Sequence, residues 1–201
     1  MIKNIIFDLS EVIISGYHKI EYVVAKNTDI KAEVFLKRKM ETLDMFLDVM
    51  RGKYTEDEYI ENLMNGMEWN INKETIKKCI RENLNIPVQG TMEIIKKLKN
   101  NYNIILLSDH IVEWVKYILE NNTELDIFEK KYFSYDYGKL KVDEGIFEYI
   151  LEDANINAEE TVFIDDSKEN IDNAKQAGIT GIVFKNANQL QEELEKLNIK
   201  I

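Results

Sequence analysis

Apolar residues follow two different rhythms along this chain. Over residues 1–9, and from about residue 88 onward, short β-branched runs alternate with amphipathic stretches of helical period. The runs predict strands at Lys3–Phe7, Asn103–Leu107, Lys131–Ser134, Thr161–Ile164 and Gly181–Phe184. Residues 104–107 and 162–164 are apolar without interruption, which suits strands covered on both faces, as in parallel sheets. Helical periods fall at 91–100, 111–121, 144–154, 168–177 and 187–197, and Gly178 stands where a left-handed residue would end a helix. This alternation predicts a doubly wound α/β domain on a parallel five-stranded, Rossmann-like sheet.

Residues 15–87 have a different texture. No strand stands out, and helical periods occupy 18–27, 31–50, 55–66 and 73–84. Thr55 with Glu58 makes a capping box, and Asn72 is placed to cap the last helix. The only proline, Pro87, falls where the α/β rhythm resumes. The expected organisation is an α/β core of residues 1–14 and 88–201, with an all-helical cap, 15–87, inserted after the first strand. Tyr17, Met45, Met64, Met67 and Trp69 are expected to pack the cap helices together. Gly16 and Gly90 lie at the two junctions, where hinge motion of cap against core is expected.

Charge narrows the function. Of 201 residues, 37 are acidic and 26 basic, for a net charge of −11. Such a surface argues against nucleic acid and anionic membranes as partners, both of which are held by positive charge. A small anionic substrate is still compatible, because one pocket can be positive on an acidic protein. The single cysteine, Cys79, excludes an internal disulfide and a thiolate metal cluster. No apolar run approaches a membrane span, so a cytoplasmic protein, monomer or homodimer, is expected.

The candidate chemistry lies at strand ends, where open parallel sheets bind ligands. Asp8 follows the first strand, Ser108 and Asp109 the second, Lys141 lies beyond the third, and Asp165 with Asp166 follow the fourth. An aspartate after one strand is commonly a turn or cap residue. Adjacent carboxylates after a wholly apolar strand are different: they repel unless a cation holds them.

These residues carry a resemblance. Residues 6–13 (IFDLSEVI), 106–109 (LLSD), 138–147 (GKLKVDEGIF) and 162–171 (VFIDDSKENI) resemble, in order, the four motifs of the haloacid dehalogenase superfamily. The helical insertion is similar to that of the subclass capped after its first strand, and the pattern resembles bacterial sugar-phosphate phosphatases. The resemblance implies a Mg²⁺-dependent hydrolase acting on a small phosphorylated metabolite. It implies Asp8 as nucleophile, forming an aspartyl-phosphate, and Mg²⁺ held by Asp8, the Ser10 carbonyl, Asp166 and Asp165, the last directly or through water. Leu9, Ser108, Asp109 and Lys141 would bind the phosphate.

Three positions depart from the family pattern. Ser10 stands where these phosphatases usually carry an aspartate as general acid and base, a function worth about 10²–10⁴ in rate. Asp109 replaces a common asparagine and would add negative charge near the phosphate, and Val142 replaces a proline, loosening the loop. The first two favour an alternative, a catalytically impaired relative that binds a phosphorylated ligand or protein partner. A dehalogenase needs no metal and a mutase needs the missing acid, so both are disfavoured. His110 is a candidate substitute proton donor, with a helix-start role favoured, and His18 is expected at the surface near the cap entry.

Overall fold

The computed structural model describes residues 1–201. Five parallel strands, β1 (Asn4–Phe7), β2 (Asn103–Ser108), β3 (Lys130–Phe133), β4 (Thr161–Asp165) and β5 (Thr180–Val183), form one sheet ordered β3–β2–β1–β4–β5. Each strand lies within a residue or two of its predicted span. Ser134 is the exception in kind: it opens a short helix, α8 (Ser134–Tyr137), instead of closing β3.

Strand order reverses about β1, which pairs with β2 on one side and β4 on the other. Ligands collect outside the carboxyl ends of strands at such a switch point. Alternation along β1 decides which face each residue covers: Ile5 and Phe7 join one apolar cluster, Ile6 the other. The face of Ile6 packs on α9 (Ile146–Ala154) and α10 (Lys168–Gln176) through Phe147, Ile150 and Ile171. The face of Ile5 packs on α6 (Thr91–Leu98), α7 (Val112–Asn121) and α11 (Ala187–Lys196) through Ile95, Trp114 and Leu190. Gly178, at φ +84°, ends α10 as the sequence predicts.

Five helices lie between β1 and α6: α1 (Ile20–Asn27), α2 (Ala32–Glu41), α3 (Leu43–Met50), α4 (Glu56–Met64) and α5 (Lys73–Leu84). The Thr55–Glu58 capping box and the Asn72 cap both form. The chain enters and leaves this bundle by two connections that run side by side, with Ser15 N donating to the Ile86 carbonyl (2.7 Å) and Val88 N to that of Ile13 (2.8 Å). The expected single helix over 31–50 is two helices. The buried Thr42 hydroxyl donates back to the Arg38 carbonyl at 3.0 Å, a side-chain bond that competes with the helical ladder, and the chain turns there. Tyr17, Met45, Met64 and Trp69 pack against the bundle core, which is continuous with the Ile5 face of the sheet.

Candidate active site

The carboxyl ends of β1 and β4 are adjacent, because Asp8 N donates to the Ile164 carbonyl at 2.9 Å and extends the pairing past Phe7. Asp8 and Asp165 are thereby brought together, and Lys141 reaches both: its Nζ lies 2.8 Å from Asp8 Oδ1 and 2.7 Å from Asp165 Oδ2. All three are buried.

Asp165 is held on every side. Its Oδ1 accepts from Ser167 N (2.8 Å) and Asn170 Nδ2 (3.0 Å), and its Oδ2 accepts from Asn170 Nδ2 (3.2 Å) as well as from Lys141. Ser167 caps α10 immediately after, so the sharp turn out of β4 is built from the same short segment. Asp8 is held on one oxygen only, by Lys141 and by Leu9 N at 2.7 Å, leaving Oδ2 without a donor. The Leu9 amide is thus directed at the Asp8 carboxylate. Asp166 is half-buried, its carboxylate accepts no protein hydrogen bond, and carboxylate oxygens of Asp8, Asp165 and Asp166 lie within 4.8 Å of one another.

Four carboxylates, those of Asp8, Asp165, Asp166 and Asp109, surround one ammonium. Burial, and then the neighbouring Asp165, raise Asp8 well above the usual carboxylate range, against the pull of Lys141. Asp166 is raised too, by burial and Asp165. Burial opposes the charge on Lys141, but Asp165, Asp8 and Asp109 outweigh it and keep the amine protonated. This excess of negative charge, with free oxygens on Asp8 and Asp166 and a Ser10 carbonyl that accepts no hydrogen bond, fits a hard dication that prefers oxygen ligands.

Ser108, at the end of β2, is fully buried and its hydroxyl has no partner. A buried unsatisfied hydroxyl costs about 1–3 kcal/mol, so one aimed at a strand-end site points to a ligand. The Asp109 amide beside it donates to no protein acceptor. The Asp109 side chain corrects the expectation of a bare charge at the phosphate position. Both its oxygens accept from the Lys141 backbone N–H, at 3.0 and 3.1 Å, and burial raises its pKa to about 6.

The loop carrying Lys141 is likewise firmer than the missing proline suggests. Asn173 donates to the Lys141 carbonyl at 2.7 Å. Arg51, at the end of α3, grips Asp143 with two nitrogens, at 3.1 and 2.9 Å, and Asp143 in turn accepts from Leu140 N at 2.8 Å. Side chains from the helical insertion, β2 and α10 together replace the ring's constraint at Val142.

His110 is buried just before α7, in the helix-start place favoured for it. Its Nδ1 accepts from Ile111 N at 3.1 Å, and burial lowers its pKa to about 3. A neutral imidazole of that kind is a poor general acid. Ser10 is part-exposed, and its hydroxyl makes no protein hydrogen bond. Gly16 packs against it so closely that a Cβ on residue 16 would stand 2.8 Å from Ser10 Cβ.

A cavity of ≈ 470 Å³ meets this centre at Asp166 and Glu11 and continues between α1, α2 and α3; Tyr17 and the exposed His18 line it. Neither this cavity nor the roles of Asn173 and Arg51 carry a signal in the sequence, and Asn170, though inside the motif of residues 162–171, shows its hold on Asp165 only in the fold.

A family model for haloacid dehalogenase-like hydrolases matches residues 2–178. The chain is 26% identical to D-ribitol-5-phosphate phosphatase of Bacteroides thetaiotaomicron over 96% of its own length and 97% of that protein. It is 24% identical to flavin mononucleotide hydrolase 1 of Arabidopsis thaliana over 78% of this chain, which spans 63% of that protein. Among solved structures, a HAD family enzyme of Bacteroides thetaiotaomicron in complex with magnesium and inorganic phosphate superposes with a TM-score of 0.74 at 27% identity, over 92% of this chain and 96% of that one.

Proposed function

The chain belongs to the haloacid dehalogenase-like hydrolase family, and from that premise we propose that it is a Mg²⁺-dependent phosphatase of a small phosphorylated metabolite working through Asp8. The observation that carries this reading is the cluster of buried Asp8 and Asp165 with half-buried Asp166 around Lys141, and the unpaired Ser108 hydroxyl at the end of the adjacent strand. Mg²⁺ would be held by Asp8 Oδ2, the Ser10 carbonyl and Asp166. Asp165, whose oxygens are all engaged, would act through water while fixing Lys141 in place. When bound, the ion would offset the negative charge of the carboxylate cluster and supply Lewis-acid polarisation of a phosphoryl oxygen.

The remaining chemistry falls to the chain. Asp8, held by Leu9 N–H and Lys141 on one oxygen, attacks phosphorus as the P–O ester bond breaks, forming an aspartyl-phosphate and releasing the alcohol as an alkoxide that takes its proton from water. The Ser108 hydroxyl and the Asp109 amide donate to phosphoryl oxygens, and Lys141 supplies a fixed positive charge where negative charge accumulates. Water then attacks phosphorus, the P–O bond to Asp8 breaks, and inorganic phosphate leaves with the Asp8 carboxylate restored and the water proton passed to solvent. Ser10 does not ionise at neutral pH, so neither half-reaction has a carboxylic acid at that position.

Residues 15–87 would serve as cap and residues 1–14 with 88–201 as core. The Bacteroides relative's name points to a sugar phosphate as one substrate class. No helix is long and apolar enough to cross a membrane. The test is phosphate release from acetyl phosphate and aryl phosphates with Mg²⁺ present and with it chelated. Turnover that depends on Mg²⁺ is expected. Saturable phosphate binding with no turnover of any ester would overturn the reading.

A further inference from the structure

The cavity above Asp166 has a wall of unusual make-up for a site that handles sugar phosphates. Tyr17 and Phe46 stack with ring centroids 4.8 Å apart, Tyr59 lies 5.2 Å from Phe46, and Trp114 continues the cluster 5.0 Å behind Tyr17. Facing solvent across the mouth, Leu36, Met40 and Leu43 are 41%, 61% and 40% exposed, a contiguous apolar row on α2 and the start of α3. Apolar groups are left in water at this density where they serve a contact.

Of the polar side chains lining the cavity, those of Glu11, Tyr17, Glu21, Lys39 and Tyr59 already hold protein hydrogen bonds or contacts, while those of Asp166, His18 and Lys19 hold no hydrogen bond. Lys39 Nζ bonds to the Tyr17 carbonyl (3.0 Å) and to buried Glu21 (3.2 Å), and stands 4.5 Å from the Tyr17 ring centroid. The Tyr17 and Tyr59 hydroxyls bond to each other at 3.1 Å, and Glu11 accepts from Gly16 N at 2.8 Å. Along the wall of Tyr17, Phe46 and Tyr59 a polyol would bury hydroxyls against rings and already bonded groups, at about 1–3 kcal/mol for each one left unpaired. An aromatic or aliphatic body would meet rings and methyl groups instead.

Resting on the phosphatase reading, we propose that this cavity is the leaving-group subsite, and that the substrate is a phosphomonoester whose alcohol carries a bulky aromatic or aliphatic body rather than a bare polyol. The occupant follows from continuity: the cavity opens on Asp166 and Glu11, beside the carboxylates where the phosphoryl group would sit, so the group esterified to it extends into this space. A volume of ≈ 470 Å³ has room for a two-ring body. His18 and Lys19, exposed at the mouth, leave any polar end of such a ligand in water.

Aryl esters alone would confound this with leaving-group acidity, so the test uses two primary alkyl phosphates, 2-(2-naphthyl)ethyl phosphate and ribitol 5-phosphate. With Mg²⁺ present, kcat/KM for the naphthyl ester is expected to exceed that for the polyol ester by about tenfold or more, carried mainly by KM. Met40→Glu should shrink that ratio severalfold. In parallel, calorimetry measures binding of the free alcohols to the Mg²⁺-loaded protein, where 2-(2-naphthyl)ethanol should bind and ribitol should not. If neither ester turns over but the naphthyl alcohol binds wild type and not Met40→Glu, the phosphatase reading falls and the subsite stands. Turnover of both esters with the polyol equal or preferred, or a failure of the naphthyl alcohol to bind, overturns the subsite. So does a stable dimer by light scattering that Met40→Glu dissociates, because a second copy would then cover the apolar row.

Discussion

Two clusters in this molecule pair buried carboxylates with cations, and their charge balance separates them. At the joint between the helical insertion and the core, Glu56 of α4 receives both Arg81 terminal nitrogens, at 2.7 and 2.6 Å, and Trp114 Nε1 at 2.6 Å. One carboxylate meets one guanidinium in a bidentate fork, and both oxygens are satisfied. At the strand ends, four carboxylates meet one lysine. Asp8 and Asp166 keep free oxygens, and both are raised above the ordinary carboxylate range by burial and by their neighbours. The balanced cluster fastens helices together. The unbalanced one keeps a standing electrostatic deficit that a dication and a phosphate would relieve, and strain of that kind collects at functional sites.

That contrast breaks most sharply on the two cations. Lys141→Met should lower kcat on the order of 10³-fold, since a fixed charge aimed at the transition state is lost. Glu56→Ala should leave kcat per folded molecule intact and cost about 3 kcal/mol of stability, because it strands Arg81 and the Trp114 N–H. Urea unfolding alongside initial rates checks both. Equal losses of rate in the two variants would erase the distinction.

The next effect concerns the missing acid. Ser10→Asp should raise turnover of alkyl phosphates up to ~10²-fold and flatten the dependence of rate on leaving-group pKa. Gly16 carries no side chain beside Ser10, where a Cβ would stand 2.8 Å from Ser10 Cβ, so the variant keeps glycine at position 16. Identical slopes in wild type and variant would mean that another group already delivers the proton.

Smaller effects come from individual carboxylates. Asp109 has a folded pKa of about 6, above its unfolded value of about 3.9. A raised carboxylate stabilises the fold fully below its unfolded pKa, and that contribution is lost as pH rises through about 6. Asp109→Asn cannot ionise, so its stability relative to wild type should increase by up to about 3 kcal/mol between pH 4 and pH 7, read from denaturant midpoints. A constant difference across that range would mean that Asp109 does not titrate there. Asp166→Asn should remove the thermal shift caused by Mg²⁺ and raise the metal-free melting temperature slightly, by relieving repulsion with Asp165. An unchanged Mg²⁺ shift would move the metal elsewhere.

The same contrast explains what the sequence could tell. The four carboxylates of the unbalanced cluster were legible because they stand at the ends of strands whose apolar runs are short and sharply ended, as where Phe7 gives way to Asp8 and Ile164 to Asp165. Lys141, past α8, was legible only through the third motif. Parallel pairing then brings those ends together, and the motifs fix their order. The balanced cluster was hidden. Glu56 reads as one of three acidic residues in the first turn of α4, and Arg81 as one polar residue among many on α5. A helical period says which residues share a face, not which neighbour that face meets. For that reason the cavity wall of Tyr17, Phe46 and Tyr59, drawn from the loop before α1, from α3 and from α4 and backed by Trp114 of α7, left no trace in the chain. Thr42 shows a finer limit: the period runs unbroken through 31–50, and one hydroxyl bonded to the Arg38 carbonyl splits it. Asp109 shows another, since its position after the second strand was evident but the turn of its side chain onto the Lys141 backbone N–H was not.

The central claim is that Asp8 carries the phosphoryl group. Acid quenching of wild type during turnover of an aryl phosphate with Mg²⁺, followed by peptide mass analysis, tests it directly. A single phosphoryl addition on the peptide containing Asp8, absent from Asp8→Asn along with turnover, is the predicted result. Turnover by Asp8→Asn at the wild-type rate, or a phosphoryl group trapped on any other residue, would contradict it.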